Sequence, residues 1–161
     1  MSAINAQSSE DIRDLYRELI LDHARSPRHF GKLEGATHSA EGINPLCGDK
    51  LRLYVLLDDD DNITAASFEG SGCAISVASA SLLTDMIIGK PVARALDYFN
   101  AVTARLSGPE PTGSEARPIE LGKIRALDGV REFPSRVKCA TLAWHALNSA
   151  IRGDSAPAST E

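Results

Sequence analysis

Three segments with strand-like patterns follow one another between residues 36 and 69, and no helical pattern interrupts them. Apolar residues alternate with other side chains in Leu51–Leu57, and Ala36–Ile43 and Ile63–Glu69 read as the strands on either side. The acidic run Asp58–Asp61 is predicted to form the turn between the last two strands. Strands that are grouped, instead of alternating with helices, favour an antiparallel sheet. The pattern therefore predicts an α+β fold.

Apolar residues at helical spacing occur before and after this block. The predicted helices are Ser8–Arg25, a segment around Ile75–Met86, a segment that begins near Pro91, Ile119–Leu127, and a last helix from Phe133 to Ile151. Ser107–Pro118 is rich in proline and glycine and is predicted to be a loop. Asp154–Glu161 is predicted to be a frayed polar tail. Because no repeat or linker divides the chain, we expect one domain over residues 1–161, with an ordered core of about residues 9–152.

The composition excludes several classes of protein. Hydrophobic residues make up 43% of the 161, which is enough to bury a core without disulfides. The formal net charge is −5 and no basic stripe is present, so a nucleic-acid partner is not expected. No apolar stretch is long enough to span a membrane, and Met1–Ser9 lacks the pattern of a secretory signal. These features predict a cytoplasmic protein.

Three cysteines carry the candidate chemistry: Cys47, Cys73 and Cys139. An odd number in a reducing compartment argues against a disulfide framework and leaves metal binding, catalysis or inert burial. Cys73 follows a glycine-rich turn at the predicted start of a helix, where the helix dipole would stabilise a thiolate.

Asp49 stands two residues after Cys47, with Gly48 between them. This spacing lets both side chains turn toward one ion, and three sulfurs with one carboxylate would complete a tetrahedral zinc shell. The alternative is that the cysteines are small core residues and Asp49 is a turn residue. Since the sequence has no Cys-x-x-Cys pair, spacing alone favours that alternative.

The local sequences around the cysteines point to a family. Asn44–Asp49 (NPLCGD), Gly70–Ser76 (GSGCAIS) and Arg136–Ala140 (RVKCA) together resemble the IscU/SufU family of iron–sulfur assembly proteins. Leu15–His23 and Ser26–Leu33 are similar to that family's first helix and the turn after it. The resemblance extends from residue 15 to residue 151 in the same order, and it favours the metal-binding interpretation.

Two departures distinguish the branches of the family. The IscU branch has a histidine directly before its third cysteine, whereas this chain has Lys138, and lysine is a poor zinc ligand at neutral pH. The chain also has an insertion at Ser107–Pro118 and an arginine, Arg136, three residues before Cys139. These features resemble the SufU branch, which implies a zinc-bound sulfurtransferase that accepts persulfide sulfur from a SUF-type cysteine desulfurase.

The resemblance implies that Cys47, Asp49, Cys73 and Cys139 bind zinc and that Cys47 accepts the sulfur. It also implies that a histidine of the desulfurase displaces Cys47 from the zinc. Arg136 is expected to pair with Asp49 or with the released thiolate. The partners implied are the desulfurase, which holds its own pyridoxal phosphate, and a downstream iron–sulfur scaffold.

Two other functions remain open. In the first, the chain would be a scaffold that assembles an iron–sulfur cluster on the same ligands. In the second, it would be a purely structural zinc domain.

The remaining polar candidates are interpreted as structural. His23, His29 and His38 have no obvious ligand partner, and Trp144 belongs to an apolar helical face. His145 lies off the helical face of Cys139 and is predicted to be exposed.

Overall fold

A four-stranded sheet runs through the computed structural model, which describes residues 15–45, 47–107, 122–153 and 158–159. Its strands are β1 (His38–Asn44), β2 (Asp49–Leu57), β3 (Ile63–Ser71) and β4 (Ala158–Ser159), in the order β3-β2-β1-β4. The first three strands pair antiparallel, and β4 pairs parallel with β1. The helices are α1 (residues 15–25), α2 (Ala74–Ile87), α3 (Val92–Ser107), a 3₁₀ helix (Gly122–Glu132) and α4 (Pro134–Arg152).

The observed order of elements confirms the predicted α+β class and its three consecutive strands. The first strand begins at His38, two residues later than predicted. Ala158–Ser159 belong to the predicted frayed tail, yet they pair with Gly42 and Ile43 at the edge of the sheet. The predicted start of the first helix, most of the loop at Ser107–Pro118 and the first residues of the segment from 119 lie outside the described residues.

The acidic turn between β2 and β3 forms as predicted. The carboxylate of Asp58 accepts hydrogen bonds from the backbone N–H groups of Asp60 and Asn62, both at 2.9 Å. Asp61 has a φ of 61°, a left-handed conformation that aspartate tolerates in turns. The acidic side chains of Asp59, Asp60 and Asp61 remain exposed, as expected for a hairpin turn.

Helix α2 packs on β3 and against α4, and it is buried over most of its surface instead of on a single face, with Ala74 and Asp85 exposed. Its serines and alanines keep the side chains short, so neighbouring backbones can approach closely. For example, Ser79 Oγ donates a hydrogen bond to the carbonyl of Ala140 on α4 at 2.5 Å. Trp144 on α4 is fully buried, which confirms its predicted place in the core. This packing fixes the start of α2 relative to the first turns of α4.

Two histidines are held in the interior. His23 on α1 is buried, and its Nδ1 lies 2.6 Å from Ser81 Oγ. That oxygen also accepts the backbone N–H of Arg28 at 2.8 Å. Burial lowers the pKa of His23 and also that of His145. His145 is half-buried and packs edge-on against Phe99 at 5.4 Å, so its predicted exposure is wrong.

Within the described ranges, no helix combines the length and apolar character that crossing a membrane requires.

Burial of His23 predicts a pH-dependent stability. The folded state keeps this ring neutral because its pKa is lowered, whereas the unfolded chain takes up a proton below the ordinary value of about 6.5. The unfolded state then binds more protons, so this contribution to stability is present above the unfolded pKa and is lost as the pH falls. We expect His23→Gln to flatten the decline in the free energy of unfolding, measured by urea titration from roughly pH 7 to pH 5.

The matched control is His38→Gln, which replaces a histidine on β1 whose side chain hydrogen-bonds the neighbouring Thr37. This variant should keep the slope of the unmodified protein. Equal slopes for both variants would contradict the assignment to His23.

Candidate metal centre

A tight turn between β1 and β2 carries two of the predicted ligands. Asn44 ends β1 directly opposite Asp49, which begins β2, and residues 45–48 connect them. The backbone N–H of Cys47 donates to the carbonyl of Asn44 at 3.2 Å. Gly48 has a φ of 72°, a conformation that favours glycine. The turn therefore places Cys47 and Asp49 at the same end of the sheet.

The connection from β3 to α2 brings the third predicted ligand to the same end. Cys73 is the N-terminal capping residue of α2, and its side chain makes no capping hydrogen bond. Its backbone N–H donates to Asp49 Oδ1 at 2.9 Å. A carboxylate is favourable beside a helix N-terminus because the helix dipole is positive there. Asp49 thus ties the hairpin to the start of α2.

Gly72 is the residue that allows this contact. A Cβ atom built on it would lie 2.7 Å from Asp49 Oδ1 and 3.2 Å from Asp49 Cγ. Such distances are too short for non-bonded atoms, so any side chain here would displace the carboxylate or the side chain of Ser76 next to it.

Cys139 enters the site from α4 and is fully buried. Its sulfur lies 3.5 Å from Cys47 Sγ, 3.7 Å from the side-chain nitrogen of Asn44 and 3.7 Å from the carbonyl of Ser135. Burial raises the pKa of the Cys139 thiol well above its usual value, and the side chains of Asp49, Cys47 and Cys73 raise it further. A bound cation would reverse this effect, because a coordinating thiol is deprotonated.

The ligand atoms of Cys47, Asp49 and Cys139 all lie within 4.8 Å of one another. Two sulfurs on a tetrahedral zinc are about 3.8 Å apart when each Zn–S bond is about 2.3 Å long. The observed separation of 3.5 Å between Cys47 and Cys139 is close to that value and far longer than a disulfide bond. Asp49 is 1% exposed, and its buried Oδ2 has no hydrogen-bond partner in the described part of the chain. This donor set fits zinc.

Cys73 stands slightly apart from this group. Its sulfur is not among the three clustered ligand atoms, although it lies close enough to raise the pKa of Cys139. The structure therefore brings three of the four predicted ligands together and places the fourth beside them.

In the described structure no ion pair joins Arg136 to Asp49. The Arg136 side chain is exposed and lines a mainly apolar groove of about 750 Å³ that runs along α1 and the starts of α2 and α4. The groove also includes Ile20, Ile75 and Phe133. In sequence, Ile75 stands two residues after Cys73 and Phe133 stands six residues before Cys139.

Sequence reasoning assigned no chemistry to two residues of this centre, Asn44 and Gly72. Both lie in the segments that carry the family resemblance, so they were visible in the sequence. An amide side chain is not a typical zinc ligand, and a glycine suggests only a turn. Their contacts to Cys139 and Asp49 depend on tertiary packing.

Thiols and a carboxylate that converge at one end of an α+β domain form a donor set suited to a metal ion. The family model of the NifU-like N-terminal domain matches residues 15–140. The chain belongs to this family, and the predicted resemblance to IscU and SufU proteins is confirmed.

Curated relatives include both branches. The chain is 44% identical over 137 residues to the zinc-dependent sulfurtransferase SufU of Bacillus subtilis, covering 85% of this chain and 89% of that protein. It is 40% identical over 141 residues to the iron–sulfur cluster assembly scaffold protein IscU of Streptococcus pyogenes, covering 88% and 85%. The second of these names states a role in iron–sulfur cluster assembly.

A solved structure confirms the fold. The chain is similar to a Fervidobacterium islandicum protein described as an iron–sulfur cluster assembly scaffold for the SUF system, with a TM-score of 0.72 and 38% identity. The match covers 83% of this chain and 94% of that one.

The position of Gly72 predicts that Gly72→Ala weakens zinc binding. The added methyl group pushes on the Asp49 carboxylate, and disturbing a ligand's support typically lowers metal affinity by about 10–100-fold. Competition with a chromophoric chelator measures this change. Gly129→Ala is the matched control, because a Cβ there meets nothing within 4 Å. Equal affinities in the two variants would show that Asp49 does not contribute to binding.

Proposed function

We propose that this chain binds zinc through Cys47, Asp49, Cys73 and Cys139 and accepts persulfide sulfur on Cys47 for iron–sulfur cluster assembly. The observation that supports this most directly is the convergence of two sulfurs and a buried, unpartnered carboxylate oxygen, with one of the sulfurs exposed. The zinc-dependent relative from Bacillus subtilis supports the choice of metal and of reaction.

When bound, zinc would hold the thiols in their deprotonated form without taking part in redox chemistry. The three sulfurs and the carboxylate would give the site a formal charge of about −2, counted from the ligand types. Arg136 and Lys138 on the first turns of α4 offset part of this charge.

The chain's own residues determine which sulfur is accessible. Cys47 is exposed on its turn, whereas Cys139 is fully buried and Cys73 is half-buried. An incoming persulfide therefore reaches Cys47 first. The thiolate of Cys47 attacks the terminal sulfur of the donor persulfide, a new S–S bond forms on Cys47, and the donor cysteine leaves as a thiolate. No external oxidant or reductant is needed, because the donor's S–S bond is replaced by an equivalent one.

Arg136 supports this step from the border of the apolar groove. Its guanidinium is exposed and makes no ion pair with Asp49 in the described structure, so it is free to approach a Cys47 thiolate once the partner is docked. The proposed donor is a SUF-type cysteine desulfurase that holds its own pyridoxal phosphate, and the proposed acceptor is a downstream iron–sulfur scaffold. This chemistry requires reduced thiols, which the cytoplasm provides.

Stimulation of a desulfurase tests the proposal. Alanine production by a SUF-type cysteine desulfurase is measured with and without the zinc-loaded protein. We expect strong stimulation that Cys47→Ala abolishes, because the acceptor sulfur is lost. Failure of the intact protein to stimulate a matched desulfurase would overturn the proposal. A purely structural zinc site would show lower stability but no effect on sulfur transfer in Cys47→Ala.

A second function is supported by the names of two relatives, the scaffold proteins of Streptococcus pyogenes and Fervidobacterium islandicum. In this function an iron–sulfur cluster is assembled on the same ligands and passed on. Lys138 directly before Cys139 argues against it, because an ammonium group does not bind the cluster.

Anaerobic reconstitution with iron and sulfide separates the two functions. We expect no stable cluster on the unmodified chain, measured by visible absorbance after desalting. A cluster that survives desalting and transfers to an apo-ferredoxin would favour the scaffold function. Lys138→His is the informative variant, because it supplies an imidazole at the position where the scaffold branch has one.

A further inference from the structure

Asn44 contacts both halves of the metal centre. It is the last residue of β1 and is fully buried. Its backbone carbonyl accepts the N–H of Cys47, and its side-chain Nδ2 lies 3.7 Å from the sulfur of Cys139, 95 residues further along the chain. In the sheet register its partner is Asp49. One residue thus joins the turn of Cys47 and Asp49 to helix α4, through its backbone on one side and its side chain on the other.

The side-chain amide of Asn44 directs its N–H group toward the sulfur of Cys139, and in this orientation its oxygen is not satisfied by a hydrogen bond. Its Oδ1 is buried and has no hydrogen-bond partner in the described part of the chain. An unpartnered buried amide oxygen is unfavourable, and a leucine of similar shape would avoid that cost. What the asparagine supplies in exchange is an N–H donor aimed at Cys139 Sγ.

The two sulfurs that lie 3.5 Å apart consequently differ in their surroundings. Cys47 is exposed, and the contact from Asn44 that reaches it is to its backbone. Cys139 is buried and has the side-chain N–H beside its sulfur. An N–H donor occupies a sulfur lone pair, which makes a thiolate less reactive and stabilises it as a metal ligand.

We propose that Asn44 is a positioning residue that keeps Cys139 on the metal, so that Cys47 is the sulfur released for transfer. This inference rests on the proposed zinc-dependent sulfur transfer. It gives a reason, based on this chain's own residues, why Cys47 and not the chemically equivalent Cys139 is the thiolate released. Asn44 acts through Cys139 and through the turn of Cys47, and it does not touch the incoming sulfur.

Asn44→Leu removes the donor while keeping a similar shape. In the zinc-loaded protein we expect an affinity for zinc about 10-fold weaker, at the lower end of what losing an outer-shell partner costs. Alkylation with iodoacetamide, followed by peptide mass spectrometry, should show modification almost only at Cys47 in the unmodified protein. In Asn44→Leu the ratio of Cys139 to Cys47 modification should rise.

Cobalt substitution adds a spectroscopic readout that a loss of stability alone would not change. Removing the N–H donor raises the energy of the sulfur lone pairs, so the sulfur-to-cobalt charge-transfer band should move to longer wavelength in Asn44→Leu. Ile63→Val is the matched control, because it shortens a fully buried side chain at the opposite end of β3 from the site. The control should keep both the band and the alkylation ratio.

An unshifted cobalt band or an unchanged alkylation ratio in Asn44→Leu overturns the role of Asn44. If Asn44→Leu does not fold, Asn44→Ala removes the same donor without branched bulk and is judged by the same two readouts. If Asn44→Leu binds zinc and protects Cys139 as well as the unmodified protein does, the role of Asn44 is wrong and the proposed function still stands. If the unmodified protein binds no zinc, the proposed function fails as well.

Discussion

The hydrogen bond from the Cys73 amide to Asp49 is the contact on which the arrangement of the site depends. It joins the β1–β2 hairpin to the N-terminus of α2 at 2.9 Å, and it is possible because Gly72 has no side chain. The carboxylate gains from the helix dipole, and its second oxygen stays buried and unpartnered beside two sulfurs. One acidic residue thus organises two elements of the fold and leaves an acceptor directed at the metal site.

The helices supply the remaining constraint. Because α2 is buried over most of its surface and rich in serine and alanine, α4 packs closely against it and across the sheet. That packing carries Cys139 to within 3.5 Å of Cys47 and removes it from solvent. The site therefore has an exposed edge formed by a turn and a buried floor formed by a helix. Under the proposed function, this difference in exposure between two chemically identical thiols would let one of them react while the other holds the metal.

Much of the fold was predictable because its signals are local. Alternation in Leu51–Leu57 and the acidic turn at Asp58–Asp61 depend on neighbouring residues, and both were confirmed. The extent to which α2 is buried and the half-buried position of His145 were not predicted, because helical spacing identifies an apolar face but not how many neighbours cover the rest. The pairing of Ala158–Ser159 with β1 was missed for a similar reason, since a two-residue strand has no periodicity of its own.

The sequence by itself determined the α+β class, the family and the kinds of donor atom available, because these follow from local patterns and from short segments around three cysteines and Asp49. Tertiary structure decided which of those donors meet, which sulfur is exposed and which side-chain amide reaches the buried sulfur. Distances between residues as far apart as Asn44 and Cys139 are set by how α4 packs on the sheet, and no local pattern encodes that packing.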